Sequence, residues 1–155
     1  MRAKILYFII YVFAVLGSSF AQSVWEWQNP LPQGDHLYSV AYGNNQFIAM
    51  GISGTILTST DGVTWTERTS GEKKDLNSVT YGNDQFIVVG EDGTILTSPD
   101  GEKWAEGSSS SGITFNSTTY GNHQFIAVGY GIIYTSPEGV RWTRRHSDLV
   151  SNKSL

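Results

Sequence analysis

The sequence predicts an all-β protein built from three tandem copies of one four-stranded unit. The first observation is a repeat: the hexapeptide at 42–47, Tyr-Gly-Asn-Asn-Gln-Phe, returns in closely similar form at 81–86 and 120–125, 39 residues apart each time. Residues 37–75 and 76–114 are identical at 21 of 39 positions, so these segments are duplicated structural units. The second observation is local: apolar residues follow the two-residue period of strands, with turn residues every eight to ten positions.

Each unit is predicted to contain four strands joined by short turns. In the first unit we expect strands at 37–42, 46–51, 55–59 and 63–68, and the same set displaced by 39 and by about 78 residues. The connections carry the Gly, Asn or Asp that hairpin turns need where φ is positive. The third unit is one residue shorter between its second and third strands.

A four-stranded meander of about 40 residues repeated in tandem is typical of β-propeller blades. A β-solenoid is the alternative, although its repeats usually have fewer turns. Three units are fewer than the roughly four to eight blades of ordinary propellers, so the predicted fold is an open, incomplete propeller. Tyr42, Tyr81 and Tyr120 stand beside the same turn in each unit, and we expect them to serve blade packing rather than to stack on a ligand.

The N-terminus has the pattern of an export signal. Arg2 and Lys4 precede an apolar run, and Ser19-Phe20-Ala21 is a small-x-small cleavage site. A membrane anchor is the alternative, but the apolar stretch of 16 residues is shorter than the roughly 20 that cross a bilayer. We therefore expect a secreted or periplasmic protein with no membrane segment after cleavage. The predicted segments are a signal peptide at 1–21, an N-terminal strand and linker at 22–36, repeats at 37–75, 76–114 and 115–146, and a disordered tail at 147–155.

Composition excludes several classes of function. Without the signal peptide the chain has 8 basic and 14 acidic residues, a formal charge of −6, and no basic stripe, which argues against nucleic acid as a partner. The chain has no cysteine, so it has neither disulfides nor thiolate metal ligands. His36, His123 and His146 occupy non-equivalent positions, and we expect no metal site and no cofactor.

A second motif stands between the third and fourth strands of each unit, at 59–65, 98–104 and 136–142. A short carboxylate can accept hydrogen bonds from its own turn, Gly takes the left-handed conformation, and Trp covers the hairpin. The motif resembles the Asp-box, or bacterial neuraminidase repeat, in its shorter form with the acidic residue directly before the glycine. The residues that carry this resemblance are Ser59, Asp61, Gly62, Trp65, Ser98, Asp100, Gly101, Trp104, Ser136, Glu138, Gly139 and Trp142.

Together with the Tyr-Gly-Asn-x-Gln-Phe and Gly-Thr-Ile-Leu-Thr-Ser segments, the motif makes the chain similar to the secreted repeat proteins grouped with photosystem II assembly factors and sialidase-like propellers. The resemblance implies an architecture rather than an activity, because in those families the box lies away from the active site. Glu138 departs from the aspartate rule, and its extra methylene is expected to fit the turn less well. We expect Trp65, Trp104 and Trp142 to be substantially buried.

A sialidase-like glycoside hydrolase fragment is the enzymatic alternative that the resemblance raises. Such a site needs clustered arginines, but Arg68, Arg141, Arg144 and Arg145 all fall in or near a fourth strand, which is outermost in a propeller. The chain also has no Phe-Arg-Ile-Pro element, no cysteine and no serine in a nucleophile-elbow motif. We therefore predict a non-catalytic binding or assembly module with no catalytic residues.

The repeats differ most in two connections, which should emerge at the same end of the blades. Variable loops on a rigid scaffold are a common location for binding, although loops also vary because nothing constrains them. The partner is expected to be a protein or a glycan. The candidate binding residues are Glu72, Lys73, Lys74, Asp75, Glu91, Asp92, Tyr130 and the serine-rich stretch at 108–111.

The N-terminal segment 24–28, Val-Trp-Glu-Trp-Gln, resembles the fourth strand of a blade whose other strands are missing. The third repeat already has a fourth strand of its own, so the array is predicted to be open at both ends. Open blade faces favour pairing, and self-association as a homodimer is one expectation. The other expectation is that the chain is the product of a shortened propeller gene and has no independent function.

Overall fold

The computed structural model describes residues 34–107 and 112–145. They form three four-stranded antiparallel sheets, each with its strands in chain order, and the sheets do not close into a ring. The predicted signal peptide, most of the N-terminal linker, the stretch 108–111 and the C-terminal residues 146–155 lie outside the described residues. Within the described part of the chain, no helix is long and apolar enough to cross a membrane.

Each sheet is one blade, and blades 1, 2 and 3 follow one another along the chain. Blade 1 contains β1 (Leu37–Gly43), β2 (Gln46–Gly51), β3 (Thr55–Ser59) and β4 (Thr66–Thr69). Blade 2 contains β5 (Leu76–Gly82), β6 (Gln85–Gly90), β7 (Ile95–Ser98) and β8 (Ala105–Glu106). Blade 3 contains β9 (Phe115–Gly121), β10 (Gln124–Gly129), β11 (Ile132–Ser136) and β12 (Thr143–Arg145). The predicted all-β array of three four-stranded blades is confirmed.

The first hairpin of each blade has the same two-residue turn. Both residues between β1 and β2, Asn44 and Asn45, have positive φ, at 45° and 58°. Asn tolerates this left-handed conformation, and two successive positive φ values match the twist of the flanking strands. The equivalent turns at 83–84 and 122–123 repeat the geometry. These turns set the register in which Tyr42 pairs with Phe47 and Tyr81 with Phe86.

The fourth strand starts later than the sequence analysis placed it. It was expected at 63–68, but β4 begins at Thr66, and β8 and β12 also begin only after the tryptophan. The physical reason is local: the backbone N–H groups of Val63 and Thr64 donate to the Asp61 carboxylate, so these residues belong to the turn and cannot pair with β3. The inner three strands begin within one residue of their expected positions.

The hydrophobic core consists of two clusters, each lying between neighbouring blades. The first joins Ile48 and Met50 of blade 1 to Leu76 and Phe86 of blade 2, all fully buried. The second joins blade 3 to the face of blade 2 that points away from blade 1. Its buried members are Ile87, Val89, Ile95, Phe115, Phe125, Ala127 and Tyr134. A blade alone cannot bury both of its faces, so the stability of each depends on its neighbour.

Candidate functional site

The variable connections of blades 1 and 2 meet at one end of the array. Between β2 and β3 the Ser53 backbone N–H donates to Asp75 Oδ1 at 3.0 Å, and between β6 and β7 the Glu91 N–H donates to the Asp75 carbonyl at 3.0 Å. The Gly112 N–H donates to Asp92 Oδ1 at 2.7 Å. Each short turn is therefore tied to the connection that leads into the next blade. We call this end of the molecule the loop end.

A recess of about 170 Å³ opens at the loop end, between the turn of blade 2 and the connection from blade 1. Its charged lining is formed by Glu72, Lys74, Asp92 and Glu106, and we call these four side chains the acidic recess. Lys74 Nζ lies 3.1 Å from Asp92 Oδ2. This hydrogen-bonded pair raises the pKa of Lys74 and, with the Gly112 N–H, lowers the pKa of Asp92. Both groups are therefore charged at neutral pH, and the recess has an excess of negative charge.

The remaining predicted binding residues lie around this recess rather than in it. A shallower groove of about 550 Å³ runs between the loops of blade 1 and includes Glu72 and Lys73. Asp75 is engaged in the structure, since Tyr38 also donates to its Oδ2 at 3.4 Å. Glu91 is exposed. Tyr130 is 98% exposed at the tip of the shortened turn of blade 3 and lines neither cavity.

At the opposite end of the blades lie the turns that precede each fourth strand, which we call the acidic turns (59–65, 98–104 and 136–142). In the first, Asp61 Oδ1 accepts the N–H of Val63 at 2.8 Å and of Thr64 at 2.7 Å. Ser59 Oγ donates to the same oxygen and accepts the Gly62 N–H at 2.9 Å. Because these donors favour the ionised carboxylate, led by the two backbone bonds, the pKa of Asp61 falls to about 2.

The second acidic turn repeats this geometry, and the third retains part of it. Asp100 Oδ1 accepts the N–H groups of Glu102 at 2.9 Å and Lys103 at 3.1 Å, which lowers the pKa of Asp100. In the third turn, the Gly139 N–H still donates to Ser136 Oγ at 2.8 Å. The hydrogen bond that the glycine N–H donates to the serine Oγ is thus common to all three turns. These bonds stay within one turn, so the carboxylates of Asp61 and Asp100 serve the backbone.

The three tryptophans of the acidic turns are partly buried, as expected, but none of them is fully buried. Each ring belongs to a turn at the outer edge of its blade, where one side remains open to solvent. Trp104 and Trp142 pack against the first and second core clusters. Trp65 contacts Phe47, with ring centroids 6.5 Å apart. The indole N–H of Trp142 donates to the Gly139 carbonyl at 2.9 Å, which holds the ring over its own turn.

The acidic turns also join neighbouring blades, a role that sequence reasoning missed. Gln46 Nε2 donates to the carbonyl of Asp100 at 2.6 Å, and Gln85 Nε2 donates to the carbonyl of Glu138 at 2.6 Å. The glutamine of the repeated hexapeptide therefore bonds the acidic turn of the following blade. The available signal was its recurrence in all three units, but a partner more than 50 residues away leaves no trace in local periodicity.

Arg68, Arg144 and Arg145 lie on outer strands, as expected, whereas Arg141 lies in the third acidic turn, just before β12. Two of these arginines bond within their own blade. Arg68 Nε donates to Thr58 Oγ1 at 3.0 Å, and its Nη2 lies 3.1 Å from Glu102 Oε1 of blade 2. Arg145 Nε donates to Thr135 Oγ1 at 2.8 Å. Arg68 and Arg145 thus occupy equivalent places in blades 1 and 3, two blades apart.

These features define the molecule as a β-propeller-type repeat protein, and similarity to solved structures supports the same class. The chain is similar to YCF48 from Cyanidioschyzon merolae, with 23% identity, a TM-score of 0.66, 81% of this chain covered and 45% of that chain. It is also similar to a structure of YCF48 bound to D1 peptide, with 21% identity, a TM-score of 0.64, and coverage of 74% and 42%. At such identities the likeness establishes the fold.

A further similar structure is virginiamycin B lyase from Staphylococcus aureus, with 16% identity, a TM-score of 0.69, and coverage of 76% of this chain and 44% of that chain. The chain thus spans less than half the length of these solved proteins. No protein-family model and no curated protein matches the chain. One fold therefore accommodates both a peptide-bound protein and a lyase among the similar structures, and the fold alone does not select between binding and catalysis.

Proposed function

We propose that this chain is an exported, non-catalytic module of Asp-box propeller repeats that binds a protein partner through its loop end. The observation that carries the proposal is the convergence of the variable loops. Asp75 and Asp92 each tie a short turn to the following connection, so residues that differ between repeats lie side by side on a rigid scaffold. Loops held in this way present a defined surface, as binding sites require.

The charge of the acidic recess selects the class of partner. Three carboxylates, of Glu72, Asp92 and Glu106, face one ammonium group, that of Lys74, which is already paired with Asp92. Glu72 and Glu106 therefore remain available for cationic side chains. Charge complementarity favours a protein segment that carries Lys or Arg, and a recess of about 170 Å³ suits the end of one such side chain. A similar structure was solved with a bound peptide, a precedent for peptide binding on this fold.

A sequence feature supports the export part of the proposal, and a structural feature supports its Asp-box part. The basic start, apolar run and Ala21 cleavage site fit a signal peptide, and N-terminal sequencing of the exported protein should begin at Gln22. A protein retaining Met1 to Ala21 would contradict cleavage. The hydrogen bonds of Ser59 and Asp61 support the Asp-box interpretation, because both side chains serve the backbone of their own turn.

The experiment is a titration with two synthetic probes, an extended peptide with Lys at alternate positions and its counterpart with Glu. Fluorescence anisotropy should show binding of the Lys peptide only, weakening as salt screens the exposed charges. Glu106→Gln should raise the dissociation constant about tenfold, which corresponds to about 1.4 kcal/mol. Asp84→Asn is the matched control, because it removes one negative charge at the opposite end of the blades and Asn accepts the positive φ of that position.

Equal affinity for both peptides, or an unchanged affinity in Glu106→Gln, would contradict the acidic recess as the binding site. Hydrolysis of a fluorogenic sialoside or another glycoside by the purified protein would replace the proposal with the enzymatic alternative. Binding of neutral oligosaccharides, undiminished by salt, would favour a glycan over a protein as the partner.

A further inference from the structure

Each joint between neighbouring blades contains a tyrosine packed on a glycine. The Tyr81 ring covers Gly43 so closely that a Cβ on this glycine would collide with it, and Tyr120 covers Gly82 in the same way. Neither glycine belongs to the set with positive φ. They are therefore needed for the close approach of the next blade and not for the turn that follows them.

The hydrogen bonds of one joint run in the same direction from donor to acceptor as those of the other. At both joints a glutamine of the earlier blade donates to the acidic turn of the later blade, and a serine of the earlier inner strand accepts a backbone N–H of the later one. The glutamine bonds are Gln46 to Asp100 and Gln85 to Glu138, each 2.6 Å, and the serine bonds are Val79 to Ser39 at 3.3 Å and Thr118 to Ser78 at 3.1 Å.

The structure describes no blade before blade 1, so the face of blade 1 that would pack on a preceding blade has no partner there. We call this face the head face. Tyr42, the equivalent of Tyr81 and Tyr120, is 58% exposed. Val40 is 62% exposed, whereas its equivalent Val79 is 6% exposed within a joint. Gly62 in the first acidic turn is also exposed, although the equivalent glycines of the other two turns are buried. The head face thus shows the side chains that the joints bury.

The structure describes no blade after blade 3, so the face of blade 3 that would receive a following blade has no partner there. We call this face the tail face. A Cβ on Gly121, the equivalent of Gly43 and Gly82, would meet nothing within 4 Å. Gln124 is exposed, and the described residues contain no fourth acidic turn for its amide. Ile133 is 39% exposed, whereas its equivalent Ile56 is fully buried against blade 2. The hollow at Gly121 and the amide donor of Gln124, which would receive a following blade, are therefore both open.

We propose that the head face of one copy docks on the tail face of a second copy and reproduces the internal joint between chains. Tyr42 of one copy would cover Gly121 of the other, and Gln124 would donate to the carbonyl of Asp61. Ser117 Oγ would accept the Val40 N–H. Every contact has two precedents within the chain, at the joint of blades 1 and 2 and at the joint of blades 2 and 3.

The polarity of these contacts selects head-to-tail over face-to-face pairing. Two head faces would oppose two projecting Tyr42 rings and two Asp61 carbonyls, both acceptors, whereas two tail faces would oppose two hollows at Gly121. Only head against tail pairs a ring with a hollow and a donor with an acceptor. Such a contact is heterologous, and it closes only if the rotations complete a ring.

The size of known propellers sets the number of copies. Rings contain roughly four to eight blades, and six is the one multiple of three in that range. Two copies of the three described blades therefore close a six-bladed ring through two identical joints. Both end faces are then buried, and neither is left to recruit a third copy.

The test is sedimentation velocity on the protein purified as the cell processes it, with one variant for each face. The wild type should sediment as a dimer at micromolar concentration. Tyr42→Ser removes the projecting ring, and Gly121→Arg places a long side chain in the hollow, at a position where an added Cβ meets nothing within 4 Å. Each variant alone should be monomeric, with the dissociation constant raised at least a hundredfold. An equal mixture should associate more tightly than either variant alone, because the intact tail of the first variant meets the intact head of the second at one of the two joints.

Two controls separate association from folding. Gly34→Arg also adds a long side chain at a position where a Cβ meets nothing within 4 Å, and Tyr130→Ser also removes an exposed aromatic ring. Neither residue is among those that define the head face or the tail face. Both should remain dimeric. Monomeric wild type, polymers larger than a dimer, a dimeric Gly121→Arg or a mixture no more associated than the single variants would each overturn the proposal. Since the acidic recess lies away from both end faces, peptide binding is tested separately and can fail without affecting this result.

Discussion

The two joints inside the chain and the two faces at its ends are made from the same residues in different surroundings. Tyr120 covers Gly82 at a joint, while Gly121 carries no ring over it at the tail face. Val79 is buried between blades, while Val40 is exposed at the head face. The difference shows that the repeated residues encode an interface and not only a blade. Their energetic value should therefore depend on position in the array rather than on residue type.

The largest predicted contrast in the free energy of unfolding is between substitutions at Gly82, in a joint, and at Gly121, on the tail face. Gly82→Ala should lower the free energy of unfolding by about 3 kcal/mol, because the added methyl group forces the Tyr120 ring out of a packed joint. Gly121→Ala should change it by less than about 0.5 kcal/mol, since nothing lies near the added group. Urea denaturation at a concentration where the chain is monomeric measures both. Equal destabilisation would break the comparison.

The tryptophans of the acidic turns should show the next largest contrast. Trp104 packs on the core cluster between blades 1 and 2, whereas Trp65 contacts Phe47 beside the head face. Trp104→Ala should cost about 2 to 3 kcal/mol, below the roughly 3 to 5 kcal/mol of a fully buried ring, and Trp65→Ala about 1 kcal/mol. Thermal melts of both variants give the order. A wild-type melting temperature for Trp104→Ala would show that the ring adds nothing to the joint.

A smaller contrast is expected for the glutamines. Gln85→Ala removes the donor to the Glu138 carbonyl and should lower the free energy of unfolding by about 1 kcal/mol, the usual net value of one hydrogen bond. Gln124→Ala removes the same side chain at the tail face and should have no measurable effect on the monomer. Chemical denaturation of the two variants in parallel provides the measurement, and the reverse order would remove glutamine from the account of the joint.

The smallest effect concerns acid, at the turn beside the head face. Because the folded pKa of Asp61 is lowered to about 2 from an ordinary value of 3.8, its stabilising contribution is complete above pH 3.8. This contribution is lost as pH falls from 3.8 through 2. Asp61→Asn keeps an oxygen acceptor for Val63 and Thr64 but removes the charge, so the melting temperature should depend less on pH in that interval. An unchanged slope would show that Asp61 does not hold the turn by its charge.

Much of the blade architecture could be predicted from the sequence because its determinants are local. The two-residue strand period and the turn residues at 44–45 (Asn-Asn) and 83–84 (Asn-Asp) act within one unit, and the 39-residue spacing repeats them. The start of β4 was placed too early because Val63 and Trp65 continue the strand pattern, while the bonds of Asp61 bend the backbone into a turn. Residue pattern alone does not show which of these two local tendencies wins.

The joints and the acidic recess could not be predicted in the same way, because their partners are far apart in the chain. The sequence assigned Tyr81 to blade packing but did not reveal that its ring lies between two blades and covers Gly43. The candidate loops were correctly placed at one end, yet the pairing of Lys74 with Asp92 and the inclusion of Glu106 depend on the path of two connections. Only the three-dimensional arrangement shows these contacts.

The central claim is that the head face is one half of a joint, and hydrogen exchange at single residues tests it most directly. The Val79 and Thr118 amides donate to Ser39 and Ser78 within the chain and should be protected at every protein concentration. The equivalent amide of Val40 should be protected at high concentration and lose its protection on dilution, as the two copies separate. Fast exchange of the Val40 amide at all concentrations, beside protected Val79 and Thr118 amides, would contradict the claim.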